Sequence, residues 1–117
     1  MLFPELEETP PNRRMSRFLQ LAFEHCKSTP SELAEKLGYS RDTTVAQWVR
    51  GSNNVPLRHV SKIANFFGFD IAHVLAPWLA QECPDDPHIV SVADRVITVW
   101  EWQLIHVARD IHNHYDE

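Results

Sequence analysis

The sequence predicts an all-α fold, and three observations lead to this prediction. The 117 residues include only three glycines, and β-branched residues are sparse before Ile89. Between positions 29 and 51, cap and stop residues bracket two short helical stretches. Closer to the N-terminus, apolar residues recur at the helical period and form one stripe. The residues of this stripe are Met15, Phe18, Leu19, Ala22, Phe23 and Cys26.

The first helix is expected to run from Asn12, as its N-cap, to about Lys27. Residues 1–11, MLFPELEETPP, are proline-rich and acidic, and they predict a flexible arm or a frayed terminus. An extended segment that lies on a neighbour through Leu2 and Phe3 is the alternative. The folded domain is therefore expected to begin at residue 12.

The second helix is predicted between Thr29 and Gly38. Thr29 suits the N-cap, Pro30 suits the first helical position, and Glu32 completes a capping box three residues after the cap. Gly38 follows the last apolar residue, as a residue at positive φ would at the end of a helix.

The third helix follows a tight turn and is predicted to end at Gly51. Ser40 or Asp42 is its expected cap. Its apolar side consists of Val45, Trp48 and Val49. Two helices of about eight residues are not stable alone, so they must rest on a scaffold. The third helix then keeps a polar face that no core covers, which consists of Thr43, Thr44, Gln47 and Arg50.

Two more helices complete the predicted domain, which ends at residue 82. Pro56 is expected to open the fourth helix and Gly68 to stop it, and Asp70 is the expected cap of the fifth. Pro77 falls inside the fifth pattern, where it removes a backbone donor and crowds the preceding turn. We therefore expect a kink or a break near Ala76.

A last helix is predicted over residues 88–117, beyond a linker at 83–87 in which Asp86 is the cap and Pro87 the first helical residue. A strand over residues 96–102 is the alternative, because this segment is rich in β-branched residues. The helix needs a surface to cover, and we expect a dimer or partner surface, with packing on its own domain as the alternative. The residues of that surface are Val96, Val99, Trp100, Trp102 and Ile105.

The spacing of residues from about 12 to 82 resembles the helix-turn-helix domain of the phage repressor/Cro family, often called the XRE family. The matching residues are Ala34, Gly38, Val45, Trp48, Gly51, Asn53, Asn54, Val55, Pro56, Ile63, Ala64, Gly68, Val74 and Leu75. One departure is that Gly38 to Gly51 spans one residue more than is usual in the family. The resemblance implies a five-helix lambda-repressor-like domain, followed here by the long C-terminal helix, and an origin in a phage or mobile element.

The resemblance also implies a function, namely that of a sequence-specific regulator of transcription that binds double-stranded DNA. A repressor that occupies its operator as a homodimer is expected, because operators of this family usually contain two half-sites. The expected base contacts are Arg41, Thr43, Thr44 and Gln47. The expected phosphate contacts are Thr29, Ser31, Arg50, Asn53, Asn54, Arg58 and Lys62.

The charge distribution favours a nucleic-acid partner although the net charge is −5. Residues 12–62 hold nine basic and four acidic residues, a net charge of +5. Residues 63–117 carry −7 and residues 1–11 carry −3. DNA affinity depends on local positive potential, so the basic segment is more informative than the sum.

Two function classes other than a DNA-binding regulator of transcription are also compatible with the sequence. An antitoxin that binds DNA with the domain and a toxin with the last helix is one alternative, and a protein-interaction module without DNA binding is another. An enzyme, a cofactor and a metal are not expected, because the sequence lacks a nucleophile–base–acid arrangement, a glycine-rich phosphate loop and a metal-ligand spacing. Two cysteines without such a spacing, and no membrane-spanning stretch or signal peptide, predict a cytoplasmic protein.

Overall fold

A computed structural model of the protein describes residues 3–91, and its regular elements in that range are all helical. The α-helices are α1 (Arg14–Cys26), α2 (Pro30–Leu37), α3 (Thr43–Arg50), α4 (Val60–Phe67) and α5 (Ile71–Glu82). Short 3-10 helices occupy Pro4–Glu7, Pro11–Arg13 and Leu57–His59. Residues 87–91 begin a further helix. The predicted all-α class and the five-helix order are therefore confirmed for the described part of the chain.

The core is built around α1, which packs against both α5 and α3, while α4 packs against α5. The apolar stripe predicted from the sequence explains this position. Phe18, Leu19 and Ala22 are fully buried, and Cys26 at the end of the stripe is partly buried. Burying a side chain of the size of Phe18 or Leu19 contributes roughly 1.5–3 kcal/mol to folding, so this stripe is the main support for the shorter helices.

Three helices end at glycines in the left-handed conformation, as the sequence predicts. Gly38, Gly51 and Gly68 have φ values of +88°, +80° and +76° and follow α2, α3 and α4. In each case the amide one residue after the glycine donates to a carbonyl five residues earlier, at 2.9 Å. This arrangement pairs carbonyl groups that the helix end would otherwise leave open.

Side-chain caps follow the predictions only in part. Thr29 caps α2 as expected, because its hydroxyl accepts from the amide of Glu32 at 3.3 Å. The prediction for Asn12 is wrong: this residue lies within the 3-10 helix at Pro11–Arg13, which runs directly into α1. Asp42 and Asp70 occupy N-cap positions without bonding the helix through their side chains. For Asp42 the reason is its helical backbone (φ −82°, ψ 0°), because a capping residue needs an extended one.

The expectation of a flexible arm is wrong for residues 3–11, because two apolar side chains hold this segment on the domain. Phe3 and Leu6 are both buried. The ring of Phe3 meets those of Phe18 and Phe69 edge to face, with centroids 5.8 and 6.0 Å apart. The Nε of Arg14 donates to the carbonyl of Thr9 at 3.1 Å. A 3-10 helix aligns residues three apart, so the short helix at Pro4–Glu7 carries Leu6 on the same side as Phe3.

Pro77 does not break the fifth helix, and this part of the prediction is wrong. The α5 helix runs without interruption from Ile71 to Glu82 and includes Pro77, which is buried. A proline inside a helix removes one hydrogen bond, but its fixed φ remains helical. Bonds made beyond the proline, by Trp78 and Gln81 to the carbonyl of Val55, hold the second half of α5 in place.

The start of the last helix is confirmed. The Oδ1 of Asp86 accepts from the amides of His88 and Ile89, at 2.9 and 3.2 Å, and thereby caps the helix that begins at residue 87. The rest of the predicted C-terminal helix, and the strand alternative at 96–102, lie outside the described residues. Within residues 3–91, no helix combines the length and the apolar character that a membrane span needs.

An aromatic cluster ties the turn between α2 and α3 to the start of α4. The ring of His59 lies 5.7 Å from that of Tyr39 and 5.6 Å from that of Trp48. The Tyr39 hydroxyl and the Nε2 of His59 share a hydrogen bond of 2.8 Å, whereas the Nδ1 of His59 is buried without a partner. Burial lowers the pKa of His59, and the positive charges of Arg58 and Lys62 lower it further.

We predict that Phe3→Ala lowers the free energy of unfolding by roughly 3 kcal/mol, because it removes a buried aromatic side chain. Chemical denaturation followed by circular dichroism measures this change. Glu7→Ala is the matched control, because Glu7 lies in the 3-10 helix that directly follows Phe3 but is exposed. Equal unfolding midpoints for the two variants would show that the N-terminal segment contributes nothing to the fold.

We predict that His59 makes the protein less stable in mild acid. The pKa of His59 is lowered in the folded state, so the unfolded chain takes up the proton at a higher pH, near the ordinary value of 6.5. Its contribution to stability is therefore complete above pH 6.5 and is lost as the pH falls through the folded-state pKa. Urea denaturation at a series of pH values measures this loss.

The matched variant for the pH experiment is His59→Gln, which has no titrating group in this range but keeps a polar side chain. The difference between wild type and variant isolates His59 from the other titrating groups. Stability profiles that run parallel between pH 7.5 and pH 5 would contradict the prediction.

Candidate nucleic-acid interface

The candidate interface is centred on α3, whose two sides differ sharply. Val45 and Trp48 are buried and fix α3 to the core. On the opposite side, Thr43 and Arg50 are exposed, and Thr44 and Gln47 are half-buried. Four predicted site residues therefore share a polar surface that the described part of the protein does not cover. An α-helix presented in this way has the dimensions to enter the major groove of DNA.

The turn before α3 comprises residues 38–42. Arg41 is exposed, but it lies in this turn, two residues before Thr43, and not in the first turn of α3. The Tyr39–His59 hydrogen bond and the Tyr39–Trp48 ring contact, with centroids 6.2 Å apart, hold the turn against the domain.

Gln47 is joined to Asn53, although the sequence analysis assigned these residues to different tasks. The Nδ2 of Asn53 donates to the Oε1 of Gln47 at 2.7 Å. An amide oxygen has two lone pairs, so Gln47 keeps one acceptor site and both N–H donors. This bond links the loop after α3 to the polar surface of the helix. Nothing in the local sequence pattern indicates the link, because the two residues meet only after the chain reverses at Gly51.

Two predicted phosphate contacts are engaged within the protein. The Thr29 hydroxyl caps α2 and also lies 3.2 Å from the Oε1 of Glu32. The Ser31 hydroxyl donates to the Oδ2 of Asp42 at 3.3 Å. Both hydroxyls therefore have a carboxylate beside them, which disfavours an anion at these positions.

The loop after α3 exposes the other polar residues assigned to the DNA backbone. Asn53 and Asn54 are exposed, and Val55, which follows them, is buried. The loop is fixed at its start by the amide of Ser52, which donates to the carbonyl of Gln47 at 2.9 Å. It is fixed at its end by Gln81 and Trp78 of α5, which hydrogen-bond the backbone of Val55.

A second glutamine that the sequence analysis missed supports α3 from α1. The Nε2 of Gln20 donates to the carbonyl of Val49 at 2.9 Å, and the Oε1 of Gln20 accepts from Arg17 at 3.1 Å. The last turn of α3 therefore has a polar contact with α1 in addition to its apolar ones. Exposed glutamines on helices carry no sequence signal for such a contact.

Positive charge lies beside this interface. Arg58 and Lys62 are both exposed. Their positive charges lower the pKa of His59, whose ring contacts Trp48 of α3. Together with Arg41 and Arg50, they give four exposed cations in the turn before α3, in α3 and in the segment that follows it. The predicted dimer or partner residues, Val96, Val99, Trp100, Trp102 and Ile105, lie outside the described part of the chain.

Comparison with protein families gives a match to the family described as Helix-turn-helix, over residues 19–74. Comparisons with curated proteins and with solved structures gave no match. The matched segment contains α2, the turn, α3 and α4, which are the elements that form the interface described above. The family is one of DNA-binding regulatory domains and not of enzymes. The match and the arrangement of α2 and α3 support the resemblance of residues 19–74 to the XRE-type helix-turn-helix family.

Proposed function

We propose that the protein is a sequence-specific transcriptional repressor that occupies an operator in double-stranded DNA. The observation that carries this proposal is the polar side of α3, which residues 3–91 leave exposed or half-buried while Val45 and Trp48 fix the other side in the core. The hydrogen-bonding groups of this face are complementary to the edges of base pairs in the major groove, which present donors and acceptors to an inserted helix.

The base contacts are proposed at Arg41, Thr43, Thr44 and Gln47. Gln47 has the chemistry to read adenine, because its remaining acceptor site suits the N6 amino group and its N–H suits N7. The Asn53 bond to its Oε1 reduces the rotamer freedom that Gln47 would lose on binding. The threonines offer a hydroxyl donor or a methyl group for thymine, and Arg41 in the turn can reach guanine or a phosphate.

The backbone contacts are proposed at the exposed cations and asparagines around α3. They are Arg50, Asn53, Asn54, Arg58 and Lys62. Cations that neutralise phosphates release counterions and supply most of the sequence-independent affinity. Thr29 and Ser31 are left with a smaller role, because their hydroxyls are bonded within the protein.

The repressor is proposed to act as a homodimer through the C-terminal residues, with Val96, Val99, Trp100, Trp102 and Ile105 as the contact surface. One domain of this size reads only a few base pairs, whereas two domains related by a two-fold axis read a palindrome. Half-site centres are then expected about 34 Å apart, or a multiple of this distance. A bound dimer would block the access of RNA polymerase to the promoter.

We predict that Gln47→Ala weakens binding to the preferred site by about 1–3 kcal/mol and changes binding to random DNA little. The preferred site is first obtained by selection from a library of random duplexes. Fluorescence anisotropy then measures the dissociation constants of wild type and variant for both duplexes.

Asn65→Ala is the control for this experiment, because Asn65 is an exposed, uncharged residue of α4 that has no proposed contact. The control is expected to bind both duplexes as the wild type does. If selection yields no preferred sequence, or if Gln47→Ala reduces both affinities equally, Gln47 does not read a base.

We predict that Arg58→Gln weakens binding to preferred and random duplexes by similar factors and lowers the slope of log K against log salt by about one. The reason is that a phosphate contact adds affinity without reading sequence. Titrations between 50 and 200 mM salt measure the slope.

Lys27→Gln provides a charge-matched control for Arg58→Gln. Lys27 follows Cys26 at the C-terminal end of α1. The thiol of Cys26 faces the carbonyl of Phe67, the last residue of α4, whereas Arg58 lies just before the first residue of α4. The control should therefore keep the wild-type slope. Equal slopes for wild type and Arg58→Gln would show that Arg58 does not contact a phosphate. If the affinity of the wild type did not change with salt concentration, the proposal of DNA binding itself would be contradicted.

A further inference from the structure

The loop after α3 is held by a buried glutamine in α5. Gln81 is 8% exposed, and its side-chain amide pairs with the backbone of Val55 in both directions. Its Oε1 accepts from the Val55 amide at 2.9 Å, and its Nε2 donates to the Val55 carbonyl at 3.1 Å. The indole N–H of Trp78 donates to the same carbonyl at 2.8 Å. Three hydrogen bonds from one turn of α5 therefore converge on one residue of the loop.

This arrangement fixes the position of Val55 more strictly than apolar packing would. A buried amide side chain is unfavourable unless it is hydrogen-bonded, and a buried backbone N–H is equally unfavourable when unpaired. Gln81 and Val55 satisfy each other only when their amide groups lie face to face at hydrogen-bond distance. A displacement of the loop away from α5 would leave both groups unpaired in the core.

The residues placed by this contact are those proposed to meet the DNA backbone. Asn53 and Asn54 directly precede Val55, and both are exposed. The other end of the loop is fixed to α3 by the bonds of Ser52 and Asn53 to Gln47. The segment that contains both asparagines is therefore held at one end by Gln47 of α3 and at the other end by Gln81 and Trp78 of α5.

We propose that Gln81, assisted by Trp78, is a positioning residue for DNA binding. It holds the loop in the conformation in which Asn53 and Asn54 donate to phosphates. Because the loop is already ordered in the free protein, DNA binding does not lose affinity to the entropy cost of ordering it. The inference rests on the proposed function, because it needs the loop to face DNA. Gln81 itself makes no contact with DNA, since it is buried in the domain.

The test is a double-mutant cycle between Gln81→Leu and Asn54→Ala in the full-length protein, read by fluorescence anisotropy on the selected duplex. Leucine keeps the approximate volume of glutamine but leaves the Val55 amide without its partner. We expect Gln81→Leu to weaken binding roughly tenfold. The slope of affinity against salt should stay that of the wild type, because neutral amide donors release no counterions.

The decisive readout is the effect of Asn54→Ala in the two backgrounds. In the wild type it should weaken binding several-fold, and in Gln81→Leu it should have almost no further effect, because the loop is already misplaced. Lys62→Gln is the control, since Lys62 lies in α4 and does not depend on the loop; its effect should be the same in both backgrounds. A purely structural role of Gln81 would make both pairs additive.

Trp78→Phe serves as a second, milder variant if Gln81→Leu does not fold, as judged by circular dichroism. It removes only the indole donor to Val55 and keeps an aromatic ring in place. The same cycle with Asn54→Ala should again be non-additive, with a smaller coupling. Additive effects in a folded variant would overturn the positioning role alone. Absence of salt-dependent DNA binding by the wild type would overturn the proposed function and this inference with it.

Discussion

The burial of Val45 and Trp48 is the constraint on which the rest of the structure depends. Both side chains lie on one side of a helix of only eight residues, and both are inserted into the core. Once they are buried, the rotation of α3 about its axis is fixed, and the polar residues must face away from the protein. The helix is too short to be stable by itself, so its direction is set by the domain and not by its own propensity.

The surroundings of α3 refine this orientation with polar contacts from three directions. Tyr39 and His59 hold the preceding turn, Gln20 of α1 bonds the last turn, and Gln81 of α5 holds the following loop. Each contact joins residues that are at least 20 positions apart in the sequence. The shape of the polar surface therefore depends on the whole domain.

Local signals explain why much of the fold could be predicted from the sequence. Helix stops at glycine, the Thr29 cap and the Asp86 cap depend on residues within four positions of each other, so one sequence reveals them. The side of α3 that faces outward followed from its apolar period. The position of Phe3 in the core and the pairing of Gln81 with Val55 depend on contacts between distant segments, for which the sequence carries no local pattern.

The corrections have the same origin. Asn12 and Asp42 are residue types that often cap helices. The neighbouring prolines decide the conformation of Asn12, and Asp42 has a helical backbone. Pro77 has the composition of a helix breaker, but bonds beyond it keep α5 continuous. At the site, residue types alone predicted the polar side of α3. The hydrogen bond between Gln47 and Asn53 could not be predicted, because the chain reverses between the two residues.

The anchors of the domain extend past the segment that matches the helix-turn-helix family. Residues 19–74 contain α3, but Phe3, Phe18, Trp78 and Gln81 all lie outside this segment and hold its surface in shape. A chimera that grafts only residues 19–74 onto another regulator would lack the cover over α1 and the partner of Val55. Exchange of the helix-turn-helix module between proteins should therefore transfer residues 3–82 as one unit.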